Sequence, residues 1–163
     1  MKYNRFEQLP VWNSAIELAV QVHALAGKTA FKGNGSLRDQ LERAAVSASN
    51  NIAEGFERGT TQELLTFLYI ARGSAGEVRS MLCLFERLPE FADLKSEISD
   101  LKSKAESISR QLRGWAESLQ ESTIKGQRFL TEKARKATQS ARDREAFLEK
   151  LRKIREGDNN LEG

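Results

Sequence analysis

Apolar residues recur at steps of three and four along the first two-thirds of the chain, the period of an amphipathic helix. Val11, Trp12, Ala15, Ile16, Ala19, Val22, His23 and Ala26 trace one such face. Pro10 opens it, because proline's missing N–H costs nothing in a first helical turn. The run should end between Gly27 and Ala30, and Phe31-Lys-Gly33-Asn-Gly35 then reads as a turn. Leu37, Leu41, Ala44, Ala45, Ala48, Ile52 and Phe56 define a second buried face. Ser36 is its expected N-cap, and Gly55 and Gly59 bracket its end.

A third helix opens at Thr60-Thr-Gln-Glu63, where Thr60 and Glu63 have capping-box spacing. It is the most apolar of the set, through Leu64, Phe67, Leu68, Ala71, Ala75, Val78, Met81, Leu82 and Phe85. Gly73 and Gly76 lie inside it, each costing roughly 1 kcal/mol relative to alanine. That cost implies close passage of another backbone. Pro89 ends the run. Leu94, Ile98, Leu101, Ala105, Ile108, Leu112, Trp115 and Leu119 then form a heptad seam.

Short loops between long helices favour antiparallel neighbours. The expected fold is therefore all-α: an up-and-down antiparallel four-helix bundle over residues 1–120 with a basic C-terminal extension over 121–163. Leu130, Ala134, Ala137, Ala141, Leu148 and Leu151 keep a helical period in that extension, diluted by polar residues. It reads as a solvated basic helix, a helix that folds on binding, or a partly disordered tail.

Charge adds an asymmetry. The net charge is +3. Residues 1–120 carry 15 basic and 15 acidic side chains, whereas residues 121–163 carry 11 and 8. Apolar runs are too short for a membrane span, and Met1 to Pro10 lack a secretory apolar core. With Cys83 the single cysteine, a reducing cytoplasm is the expected compartment, without membrane partners.

Little here suits catalysis. The one histidine, His23, lies on the apolar face of the first helix and reads as a core or interface residue. Cys83 has no second histidine to activate it and reads as a small buried hydrophobe. No His/Cys spacing fits zinc, and Gly73-Ser-Ala-Gly76 lacks the Lys-Ser/Thr of a phosphate-binding loop. A non-enzymatic protein without a cofactor is expected.

One segment departs from simple patterning. Ser47, Ser49, Asn50 and Asn51 occupy the middle of the second helix, where such side chains compete for backbone hydrogen bonds. They read either as an exposed, bent face or as small polar residues that pack helices or subunits closely. The run Arg43 to Arg58, with Asn51-Ile-Ala-Glu54-Gly55, followed by Phe67-Leu-Tyr-Ile-Ala-Arg-Gly-Ser74 and Glu77, resembles the family of 23S rRNA intervening-sequence proteins. Leu9-Pro-Val-Trp12, Ala15 and Leu18 resemble its opening, and the likeness covers roughly residues 6–120. This family also includes the accessory variability proteins of diversity-generating retroelements.

The resemblance implies a homopentamer of four-helix bundles that binds structured RNA or DNA through basic surfaces, with no enzymatic activity. In the retroelement branch it implies partnership with a reverse transcriptase. Ser49 stands where the family often has proline, which implies a weaker kink. The extension from about residue 121 exceeds the usual family length.

Candidate contacts to nucleic acid follow from charge and spacing. Leu65, Tyr69, Arg72, Gly76, Arg79 and Cys83 share one face of the third helix. Arg72 and Arg79 lie two turns apart, about 10.5 Å at 1.5 Å per residue. A ring of subunits would multiply that pair into a basic belt. The rival reading pairs these arginines with Glu42, Glu54 or Glu77, within or between subunits, and gives Glu77 a structural ion pair. Arg38, Arg43 and Arg58 are further candidates, with Lys28 and Lys32 beside the first turn. In the extension, Arg128, Lys133, Arg135, Lys136, Arg142 and Arg144 form the most basic window, with a plain solvated helix as the alternative. A structural protein–protein interaction module without nucleic acid is the competing function.

Overall fold

A computed structural model describes residues 3–121, 140, 143–149 and 152. The chain divides into two compact units, residues 1–127 and 128–163. In the second unit, residues 143–149 are helical. The first contains four long helices: α1 (Pro10–Ala26), α2 (Gly35–Glu57), α3 (Thr61–Phe85) and α4 (Lys95–Glu121). The described residues contain no strand, so the all-α class read from the pattern is the class adopted.

Each helix packs on the next, and α1 also packs on α4. Side-chain contacts give the directions. Late α1 meets early α2 through His23 and Glu42, and early α2 meets late α3 through Gln40 and Glu77. Early α3 meets late α4 through Tyr69 and Gln120. Glu17 of α1 pairs with Lys104 of α4, while Lys28, just past α1, pairs with Glu97 near the start of α4. The α2–α3, α3–α4 and α1–α4 contacts each join the early part of one helix to the late part of the other.

The shared core is leucine, isoleucine and phenylalanine around an alanine-rich waist. Ala15, Ala45, Ala48, Ala71, Ala75 and Ala105 are fully buried. Small side chains shorten the separation at which helices can pack. Among the described glycines, the tightest approach is at Gly55. A Cβ there would lie 2.7 Å from Phe67 Cβ and 3.2 Å from Leu64 Cδ1. Gly73 and Gly76, the glycines expected to mark a close backbone, face open space. The close approach belongs to α2 instead.

Two short 3₁₀ segments close one end of the helices. Thr29–Phe31 and Pro89–Leu94 carry Phe31 and Phe91 onto Phe85, with ring centroids 5.1 and 4.7 Å from Phe85 and 4.8 Å from each other. All three rings are buried, each contributing roughly 2–3 kcal/mol through lost water contact. Phe31 is thus core, although its Gly/Asn-rich surroundings read as an exposed turn. Gly33 supplies the left-handed residue of that turn, at φ 91°.

Helix starts match the sequence unevenly. Pro10 occupies the first turn of α1. The Thr60 hydroxyl accepts from the Glu63 N–H at 3.2 Å and donates to the Glu63 carboxylate at 2.8 Å. Ser36, by contrast, is not an N-cap. Helix α2 begins at Gly35 behind Asn34, because the turn at Gly33 already redirects the chain. In α4 the seam holds through Ile98, Leu101, Ala105, Ile108 and Leu112, after which Ala116 is buried while Trp115 and Leu119 are half-buried. A straight helix turns once per 3.6 residues, so a strict 3.5-residue seam drifts off the core.

Candidate nucleic-acid interface

The unusual polar middle of α2 is a seam against α3. Asn51 Nδ2 donates to the Ser47 carbonyl at 2.8 Å and to Ser47 Oγ at 3.0 Å. Ser47 Oγ lies 2.9 Å from Ser74 Oγ, which donates to the Ile70 carbonyl at 3.1 Å. Each hydroxyl carries one proton. Ser74 uses its own on Ile70, so Ser47 donates to Ser74 and accepts from Asn51. Buried Ser49 donates back to the Val46 carbonyl at 3.0 Å. Ser47 therefore joins α2 to α3 with Asn51 bracing it, Ser49 turns back onto its own helix, and Asn50 alone stays on the outer face.

His23 is not a core residue. Its side chain is 84% exposed at the mouth of an α1–α2 groove, with Nδ1 2.6 Å from Glu42 Oε1. Ala19, Val20 and Val46 line the same groove. Ser47 lines the adjoining cavity, and its hydroxyl bonds Ser74. Cys83 is half-buried on α3, beside the Lys102–Glu86 ion pair that crosses from α4 at 2.6 Å. The Glu86 carboxyl is held below its ordinary value, mainly by the hydrogen bond from Lys102, whose own value is raised by the same contact.

The basic side chains fall into two groups. Between residues 3 and 121 there are nine arginines. Six have partners: Arg5 with Glu7, Arg38 with Asp39 and Glu42, Arg58 with Glu54, Arg110 with Glu106, Arg113 with Glu117, and Arg87 with the Cys83 carbonyl. The other three, Arg43, Arg72 and Arg79, are exposed and make no ion pair or hydrogen bond with a described residue. All three lie on α2 or α3.

The expected contacts sort accordingly. Arg58 is a structural tie, 2.6 Å from Glu54 and 5.2 Å above the Phe67 ring. The Glu54 contact raises the guanidinium's value further. Arg38 and Lys28 are engaged by acids, while Lys32 is exposed with no described partner. Glu77 accepts from the Gln40 carboxamide at 2.9 Å, and no cation pairs with it among the described residues. Within one protomer, neither Arg72 nor Arg79 pairs with Glu42, Glu54 or Glu77. Leu65 is buried and withdraws from the face it was expected to share. Arg144 is exposed, whereas Arg128, Lys133, Arg135, Lys136 and Arg142 lie outside the described residues.

Pattern reasoning passed over an apolar strip where Val20, 65% exposed, and Val46, nearly half exposed, line one groove; Ile16 and Ile70 are likewise exposed rather than in the core. The available signal was valine and isoleucine at positions off the buried period of α1, α2 and α3.

Fold and surface together define a class: an all-helical protein with a polar α2–α3 seam and unneutralised arginines beside it. The chain belongs to the 23S rRNA-intervening sequence protein family, whose pattern matches residues 7–114. A crystal structure of a protein of unknown function from the S23 ribosomal protein family of Bacteroides thetaiotaomicron is similar in fold. The TM-score is 0.58 at 19% identity, covering 65% of this chain and 97% of that one. No curated protein matches the chain.

Proposed function

We propose that the chain is a non-enzymatic, cytoplasmic accessory protein that self-associates and holds RNA or DNA on its basic side chains. One observation carries the reading: of the nine arginines between residues 3 and 121, Arg43, Arg72 and Arg79 make neither an ion pair nor a hydrogen bond with a described residue, and all three lie on α2 and α3. An up-and-down four-helix bundle is the proposed scaffold, supported by the packing of each helix on the next and of α1 on α4, with opposite ends meeting in the α2–α3, α3–α4 and α1–α4 pairs. Exposed Val20 and Val46, which line one groove, support self-association, because clustered apolar surface tends to be covered. A near-neutral protomer gains polyanion affinity by pooling its arginines in an oligomer. The family resemblance suggests a pentamer and, in the retroelement branch, a reverse transcriptase as partner.

The test compares two double charge reversals of equal size. Arg72→Glu with Arg79→Glu should weaken RNA binding at least tenfold, with the salt slope falling by about 0.7–0.9 for each lost phosphate contact. Arg110→Glu with Arg113→Glu should change both far less. Equal behaviour of the two variants in filter binding across salt concentrations would refute the reading. The same apolar strip favours a second reading, a purely structural interaction module. That module would purify without nucleic acid at low salt, visible in the absorbance ratio.

A further inference from the structure

Tyr69 is an aromatic side chain with an unused face. It is 45% exposed on α3, and its ring has no ring partner among the described residues. The ring is nevertheless held in place, because its hydroxyl accepts from Gln120 Nε2 of α4 at 2.9 Å. Beside it lies a cavity of about 300 Å³. Leu65 and Leu119 give that cavity apolar walls, while Gln62, Thr66 and Gln120 supply polar edges. Unpaired Arg72 follows one turn along α3, about 4.5 Å of axial rise away.

A tethered tyrosine, an apolar wall, carboxamides at the rim and a free guanidinium are what an unstacked base with its phosphate requires. Bases stack on aromatic faces, carboxamides can both donate to and accept from base edges, and arginine takes the phosphate. A ring already immobilised loses little freedom on stacking. Paired bases within a duplex present no free face to such a ring.

We infer that Tyr69 is a stacking platform for one unpaired base of a single-stranded or looped nucleic acid, with Arg72 on the adjoining phosphate. The inference rests on the nucleic-acid reading above and narrows its ligand to unpaired strands.

Fluorescence anisotropy of the full chain with a labelled oligo(U) strand, and with a blunt duplex of equal length, tests it. Tyr69→Ala should weaken oligo(U) binding roughly 5- to 100-fold, while duplex affinity stays within about twofold. Tyr69→Phe keeps the ring but loses the tether to Gln120, and should retain most of the affinity. Circular dichroism melting of each variant separates a lost contact from a lost fold. Wild-type protein that binds oligo(U) with Tyr69→Ala unaffected overturns the platform alone. Equal losses on strand and duplex also overturn it. Wild-type protein that binds neither probe at low salt overturns both readings and favours a protein partner.

Discussion

Helix α4 and the α2–α3 pair use the same residue types differently. On α4, Arg110 and Arg113 are each engaged by a glutamate one turn away, at 3.0 and 2.7 Å. Such pairs stabilise a helix slightly and cancel its field. On α3, the positions one turn either side of Arg72 are Leu68 and Gly76, and those flanking Arg79 are Ala75 and Cys83. No acid is placed to neutralise them. On α2, Asp39 lies one turn before Arg43 but is engaged by Arg38. The core faces repeat the contrast: α4 contributes a regular apolar seam, while α2 and α3 join through Gly55 and a serine–asparagine network. Charge cancellation and regular packing go with a scaffolding role, whereas free charge and tight irregular packing mark the surface that requires a fixed shape.

The largest expected effect tests that irregular packing. Gly55→Ala sets a Cβ 2.7 Å from Phe67 Cβ, an atom fixed to the α3 backbone rather than the tip of a flexible chain. Overpacking of this kind costs roughly 1–3 kcal/mol, despite alanine's better helix propensity. Urea denaturation should show the loss as a lower midpoint with an unchanged slope. A variant as stable as its parent would mean that α2 and α3 slide apart freely.

The opposite sign is expected elsewhere. Gly114 on α4, and Gly73 and Gly76 on α3, have open space where a Cβ would go. Alanine at each should add about 0.5–1 kcal/mol by propensity alone. Gly114→Ala should therefore raise the urea midpoint and leave nucleic-acid affinity unchanged. A loss of stability on that substitution would reveal packing against another copy of the chain.

Much of this contrast was legible in the sequence, for a physical reason. Helical period depends only on which residues repel water, so the four long helices and most of their core positions follow from spacing. Whether Arg110 meets Glu106 is equally local, since one turn of a helix brings them together. Gly55 was a different matter: its role depends on Phe67, which reaches it only through the fold. Phe31 looked like part of a turn because its neighbours are glycine and asparagine, yet the aromatic cluster with Phe85 and Phe91 draws it inward. His23 fell on the apolar period of α1, but helix rotation turns it out to Glu42. Of the candidate site, Arg43, Arg72 and Arg79 were legible as charges; their lack of partners was not.

The smallest expected effect concerns the ion pair that, among the described residues, links α4 to the end of α3 by charge. Lys102 bonds Glu86 at 2.6 Å, with both side chains partly exposed, and holds the Glu86 carboxyl below its ordinary value. A carboxyl depressed in the folded state stabilises that state above its unfolded value, and the contribution vanishes as pH falls through the folded one. Lys102, raised by the same contact, contributes below its unfolded value and loses that contribution as pH rises through the folded one. The pair therefore acts across the whole neutral range. Lys102→Met should melt slightly below the parent at neutral pH, and the gap should close in acid as Glu86 is protonated. Added salt at neutral pH should also narrow the gap, because partly exposed pairs are screened. A gap that persists after Glu86 is protonated would assign the stabilisation to the packing of the lysine stem rather than to its charge, and α3 and α4 would then be joined by packing and the Tyr69–Gln120 hydrogen bond.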